Sequence, residues 1–207
     1  MFELNDSLIS SLSEIDNSFQ HRKKDFYNSI STKNALINKW LGEEYSKLYP
    51  TDLPASADIF APSFSQYAKL YIEQMNLDNI IFYDYDPEVV KVNWQCLKLV
   101  RKDRLIDQKC LDVILDTDYT RRNHLDVIIN FSCEKMVDMK FIVERVYEGK
   151  NPVFCFISTD KHDRGNINVY SDLASFEKST GLSTIKYSGE LNFKNNNETK
   201  YLVIGEK

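Results

Sequence analysis

The chain has 207 residues, of which 43% are hydrophobic and 28% charged, a composition typical of a globular protein with one well-filled core. It excludes a disordered or fibrous protein. Lys and Arg total 26 against 31 Asp and Glu, and the net charge is −5. Because no basic block could follow a phosphate backbone, nucleic acid is not expected as an electrostatic partner.

The sequence start carries neither a basic targeting region nor a long apolar run, which predicts no secretion and no membrane span. We therefore expect a cytoplasmic protein. The four cysteines stand far apart without a CxxC pair, which indicates reduced thiols and no metal site.

The first fifty residues are predicted to form an N-terminal helical extension. Apolar residues at three- and four-residue steps predict one helix over 4–19, and a second from Thr32 ends before Pro50. Between them, the run HRKKD is interpreted as a solvated helix face. Trp40 and Tyr45 on the second helix are candidate anchors for a protein partner, with simple covering of the sheet as the alternative.

The segment TDLPASAD, residues 51–58, is predicted to be a loop that opens a second unit, residues 51–207. Strands and helices then alternate. Predicted strands are 57–61, 79–84, 111–115, 125–130 and 153–158, and predicted helices are 67–75, 87–100, 137–148 and 171–180. Two alternating strands at the end, STIKYSGEL and ETKYLVIGE, form a hairpin. Continuous apolar runs such as VFCFI are typical of interior parallel strands covered on both faces. The predicted fold is therefore α/β, with a mostly parallel Rossmann-like sheet closed by an antiparallel hairpin.

The stretch IIFYDYDP places a carboxylate where an apolar strand ends and a helix begins. Asp84 would there accept hydrogen bonds from the two hydroxyls of a ribose, as acidic residues after the second strand do in nucleotide-binding folds. A turn-forming role is the alternative for Asp84, and it is the role expected of Asp86 before Pro87.

A second polar segment, DVIINFSCEKM at 126–136, follows another apolar strand. Together with FYDYDP and the terminal hairpin, it resembles a family of small class I S-adenosylmethionine-dependent methyltransferases of bacteria and phages, in which Lys135 is usually His. The resemblance covers about residues 55–207. With the Asn- and Lys-rich composition it favours a phage source, and hence the host cytoplasm or the virion.

The resemblance implies S-adenosylmethionine as the cofactor and a role for each matching residue. Asp84 corresponds to the acid that holds the ribose, and Asp116 or Asp118 to the polar position near the adenine. Asn130, Ser132 and Glu134 would border the methionine part and the methyl acceptor, and are the candidate catalytic residues. The acceptor itself stays unknown.

The turn after the first strand departs from this pattern. Glycines are expected there because they let the backbone approach the cofactor with positive φ. The chain instead has the small residues Ala61, Ser63 and Ser65, together with Pro62 and Phe64. Whether the chain is an enzyme thus stays open.

Two functions remain. The chain is either a methyltransferase, with Ala61, Ser63 and Ser65 in the cofactor turn, or an inactive methyltransferase-like scaffold that binds protein partners through its N-terminal helices, as a component of a viral particle. An open crevice above Asp84 would favour the first. Phe64 or Tyr67 filling it would favour the second.

Overall fold

The computed structural model describes residues 6–50, 55–62, 67–98, 105–113, 125–146 and 151–207. These residues form a seven-stranded sheet with helices on both faces. The helices are α1 (Asp6–Ser18), α2 (Lys23–Ser29), α3 (Thr32–Leu48), α4 (Ala68–Met75), α5 (Pro87–Lys98), α6 (Met139–Val146) and α7 (Leu173–Thr180). The strands are β1 (Ala55–Phe60), β2 (Leu77–Asp84), β3 (Ile106–Cys110), β4 (Val127–Asn130), β5 (Val153–Thr159), β6 (Thr184–Phe193) and β7 (Glu198–Glu206).

The strand order is β3-β2-β1-β4-β5-β7-β6, and β1 to β5 run parallel. β7 lies antiparallel between β5 and β6, so the terminal hairpin is inserted with its second strand inward. At the carboxyl edge Phe60 of β1 is level with Tyr83 of β2 on one side and Asn130 of β4 on the other. The predicted fold class is confirmed.

Alternate residues of each central strand pack against helices on opposite faces of the sheet, as the two-residue period of a strand requires. Ile80 and Phe82 of β2 face the core formed with α3 and α4, whereas Ile81 and Tyr83 face the core formed with α6 and α7. Both faces of β2, β4 and β5 are therefore buried, and each strand contains an uninterrupted apolar run.

The N-terminal helices pack on the sheet and on α5. Tyr45 is buried in the core with α4, and the Trp40 indole N–H donates to the Tyr187 hydroxyl at 3.0 Å. Ile15 of α1 and Phe26 of α2 form a separate small cluster with Val89 of α5. Both candidate anchors thus have partners within the chain, and the division at residue 50 stays a prediction.

Two sequence predictions are wrong in position. A strand was expected at 111–115, but β3 lies at Ile106–Cys110; residues 111–113 are not part of a strand, and residues 114–115 lie outside the described residues. Among the described strands β3 lies at the edge and pairs with β2 alone, which fits its polar sequence IDQKC. The predicted loop 51–58 overlaps β1, which begins at Ala55.

Within the described ranges, no helix is both long enough and apolar enough to cross a membrane.

Candidate functional site

A cavity of about 420 Å³ opens at the carboxyl ends of β1, β2 and β4. Ala61, Asp84 and Ser132, which follow or end these three strands, contribute to its wall. Its size falls within the range of roughly 300–1,000 Å³ typical of small-molecule sites. It also lies where ligands bind in open parallel sheets, outside the carboxyl ends of the strands.

Asp84 is the last residue of β2 and is buried at the cavity wall. Its Oδ1 accepts the backbone N–H of Asp86 at 3.0 Å, which fixes the side chain across the turn. Burial raises the pKa of Asp84 to about 6, although Arg22 and Lys135 favour the ionised form. The carboxylate is thus ionised at neutral pH and can accept hydrogen bonds from a bound hydroxyl pair.

Asp86 and Arg22 form an ion pair at the rim of the cavity, next to Asp84. Arg22 Nη1 donates to Asp86 Oδ2 and lies 3.4 Å from Glu88 Oε2. Partial burial favours the neutral form of Asp86, but the hydrogen bond and charge of Arg22 outweigh it and lower its pKa. Asp86 also accepts the backbone N–H of Glu88 at 2.9 Å, so it serves as the predicted turn former at the start of α5.

The turn after β1 keeps a glycine-like backbone without a glycine. Ala61 has φ of +45°, in the left-handed region that side chains with a Cβ rarely adopt, and its N–H donates to Tyr83 O at 3.0 Å. Ala61 and Pro62 both line the cavity. Ser63, Phe64 and Ser65 lie outside the described residues, and so do Asp116 and Asp118.

We expect Ala61→Gly to stabilise the protein by about 1 kcal/mol, because glycine removes the Cβ penalty of the left-handed backbone at some entropic cost. The melting temperature should rise by about 2–4 °C for a chain of this size. Asn76→Gly is the matched control: Asn76 has φ of +50° at the end of α4, where asparagine is tolerated. An equal gain in both variants would contradict a specific strain at Ala61.

Of the polar residues that end or follow β4, some line the cavity and others have a structural role. Asn130 is fully buried; its Oδ1 accepts the Ser132 N–H at 3.0 Å, and its amide contacts Met136 and Met139 sulfurs. It is not among the residues that line the cavity, whereas Ser132 and Glu134 are. The catalytic role of all three stays a prediction.

Glu134 is 4% exposed and is held by its backbone, because its carbonyl accepts the N–H groups of Ile167 at 2.7 Å and Asn168 at 3.0 Å. Its Oε1 lies 3.8 Å from Lys200 Nζ. Within the described part of the chain its buried Oε2 has no hydrogen-bond partner.

A chain of alternating charges leads from the N-terminal segment to Glu134. Lys33 Nζ of α3 lies 2.9 Å from Glu198 Oε2, and Lys200 Nζ lies 3.5 Å from Glu198 Oε1. Glu198 and Lys200 are two residues apart on β7 and so share one face of the sheet. Lys200 also lines the cavity.

The sequence did not predict the part of the cavity that the N-terminal helices form. Arg22 belongs to the run HRKKD, and its interpretation as a solvated face is wrong for this residue, whose side chain is only 22% exposed. Asn38 of α3 also lines the cavity, where Tyr71 donates to its Oδ1. Tyr67 is part of the wall, and its hydroxyl donates to the Ser29 carbonyl at 3.1 Å, so it does not fill the space.

Solved structures with the same architecture include the [4+2]-cyclase SpnF, with a TM-score of 0.61 and 11% identity over 81% of this chain and 79% of that one. The geranyl diphosphate C-methyltransferase of Streptomyces coelicolor A3(2), solved with Mg²⁺, geranyl diphosphate and S-adenosyl-L-homocysteine, has a TM-score of 0.57 and 6% identity over 81% and 78%. The N-methyltransferase NodS of Bradyrhizobium japonicum has a TM-score of 0.54 and 9% identity over 82% and 95%.

The fold is that of the class I methyltransferases. No family model and no curated protein matches the sequence. A cyclase shares the methyltransferase fold, so the chemistry of this chain must be argued from its site.

Proposed function

We propose that this chain binds S-adenosylmethionine in the cavity beside Asp84 and transfers its methyl group to a small acceptor. The observation that carries the proposal is the coexistence of a cavity of about 420 Å³ and a buried, ionisable carboxyl at the end of β2. An open crevice above Asp84 was expected of a methyltransferase rather than of a scaffold, and the cavity supports that interpretation for Tyr67, while Phe64 lies outside the described residues.

The described residues fit the cofactor at several points. Asp84 would accept the ribose hydroxyls, and Tyr85, which is 77% exposed at the cavity, could stack on the adenine. The charge of the cavity also suits a cationic cofactor. Its described lining has three basic and four acidic side chains, for a net charge of −1. These residues are Arg22, Lys135, Lys200, Asp25, Asp84, Asp86 and Glu134. The adenine contact of Asp116 or Asp118 stays a prediction.

Bound S-adenosylmethionine supplies a methyl group already activated on a sulfonium, so the protein needs no nucleophile of its own. The contribution of the protein is then to position two reactants and to exclude water. Tyr71 and Phe131, whose rings stack at 5.7 Å between centroids, would provide an apolar wall for this purpose. Arg22 and Asn38 of the N-terminal segment would form another part of the wall around the reactants.

Titration calorimetry with S-adenosylmethionine tests this proposal. We expect saturable binding by the wild type and affinity about 10- to 100-fold weaker in Asp84→Asn, because a hydrogen bond to a charged group contributes about 1.5–3 kcal/mol. The control is Asp78→Asn, the same change at the opposite end of β2.

No heat with the wild type at millimolar cofactor would overturn the proposal and favour the inactive scaffold. In that interpretation the N-terminal helices bind a protein partner. Such a partner, the phage source and the location in host cytoplasm or virion all stay predictions.

A further inference from the structure

Glu134 carries a buried carboxylate that the protein satisfies only in part. Lys200 Nζ is closer to Glu198 Oε1, at 3.5 Å, than to Glu134 Oε1, at 3.8 Å. The one ammonium near Glu134 among the described residues is therefore shared with a second carboxylate. A buried acceptor without a partner destabilises a folded protein, more so when it is charged, and so requires an explanation.

The position of Glu134 is fixed by its backbone. Two N–H groups from residues 167 and 168 hold its carbonyl, and Asn130 fixes the turn that precedes it. Glu134 lines the cavity from the segment that follows β4. β2 and β4 flank β1, so their ends are about 10 Å apart, and Glu134 and Asp84 lie on opposite sides of the cavity mouth.

We propose that Glu134 binds the methyl acceptor and that this acceptor is an amine, which donates an N–H to the free carboxylate oxygen. This inference rests on the proposed function, and it adds the substrate class. Asp84 and Glu134 line the same cavity, so a cofactor whose ribose is held by Asp84 would have room to extend its reacting end toward Glu134.

The charge movement in the reaction explains why an amine suits this position. The nitrogen lone pair attacks the methyl carbon, the C–N bond forms, and the C–S electron pair returns to sulfur. The sulfonium becomes a neutral thioether, and the nitrogen becomes a methylammonium. The positive charge thus moves onto the acceptor, where the Glu134 carboxylate stabilises it in a site of low dielectric constant.

Sinefungin and S-adenosylhomocysteine are suitable probes, because sinefungin carries an ammonium where the methyl-bearing sulfonium stands and S-adenosylhomocysteine carries no charge there. We expect the wild type to bind sinefungin at least about tenfold more tightly than S-adenosylhomocysteine. In Glu134→Gln this ratio should fall below about threefold. Glu144→Gln, on the exposed side of α6, is the control and should keep the wild-type ratio.

Glu134→Ala is the second variant if the amide disturbs the ion pairs, and thermal melting checks that each variant folds. A tenfold ratio that persists in a folded Glu134 variant would overturn the inference while leaving the proposed function intact. Failure of the wild type to bind either compound would instead overturn the proposed function.

Discussion

Asp84→Asn should make the protein more stable at pH 7.5 while it weakens cofactor binding. Burial raises the pKa of Asp84 to about 6 in the folded state, against 3.8 for an ordinary Asp. Above pH 6 the folded protein therefore holds an ionised carboxylate that would be more stable in water. This difference corresponds to about 3 kcal/mol, and asparagine avoids it while retaining an oxygen for the Asp86 N–H.

The sign of the effect depends on pH. Because the folded-state pKa is raised, the folded protein binds more protons than the unfolded chain between pH 3.8 and about 6, and wild-type stability falls as the pH rises through this window. The free energies of unfolding of wild type and Asp84→Asn should thus coincide near pH 4. They should separate progressively up to pH 6 and stay apart above it.

Urea denaturation at four pH values between 4 and 7.5 measures this separation. Asp78→Asn is the control, because Asp78 lies at the opposite end of β2 and is not among the described residues that line the cavity. A constant difference between Asp84→Asn and wild type at every pH would contradict the raised pKa. A gain in stability with a loss of binding would mark Asp84 as a residue kept for function.

Most of the fold could be predicted because its central strands are buried on both faces. Strands such as β2 and β5 are then continuous apolar runs, and turn residues or helix caps separate them. β3 was not predicted because its sequence IDQKC has no apolar run. Among the described strands it lies at the edge of the sheet, where a strand is less buried. The beginning of β1 was taken for a loop because Ala55 and Ser56 follow a proline.

The candidate site could be predicted only where function follows from position in a strand. Asp84 and the segment from Asn130 to Glu134 follow apolar strands, and parallel strands bring their carboxyl ends to one edge. Arg22 could not be found in this way, because it meets Asp86 across 64 residues of sequence through the packing of α1 and α2 on α5. A charged residue in a basic run such as HRKKD carries no sequence pattern that indicates a contact with a distant segment.

Lys200 and Glu198 were missed for a related reason. ETKYLVIGE alternates at its start like a strand with one exposed face, but β7 lies between β5 and β6 and is buried on both faces. The insertion of this strand is a property of the whole sheet. A hint was available in the spacing, since an acid and a base two residues apart on a strand lie on the same face.

Glu198→Ala should destabilise the protein by about 3–5 kcal/mol, the usual cost of removing one partner from a buried ion pair. Glu198 is buried between Lys33 and Lys200, and among the described residues its loss would leave Lys200 with the longer contact to Glu134 as its remaining ion pair. Glu190→Ala on the exposed side of β6 should change stability by less than about 0.5 kcal/mol. Thermal or urea unfolding at neutral pH measures both.

The same variant should alter acid denaturation. Burial alone favours the neutral form of Glu198, but the hydrogen bond of Lys33 and the charge of Lys200 outweigh it and lower its pKa below 4.5. Its stabilising contribution is therefore present above pH 4.5 and lost as the pH falls through the folded-state pKa. The difference between wild type and Glu198→Ala should accordingly narrow in acid.

A double-mutant cycle separates the charge from the packing. In a Lys200→Met background, Glu198→Ala should cost less than in the wild type, because the ammonium that the substitution would leave unpaired is already absent. Equal costs in the two backgrounds would show that Glu198 stabilises β7 by packing and by its contacts with Lys33 and Thr159, without a contribution from Lys200. A reduced cost would establish that the charge chain reaching Glu134 is coupled at Lys200, at the edge of the cavity.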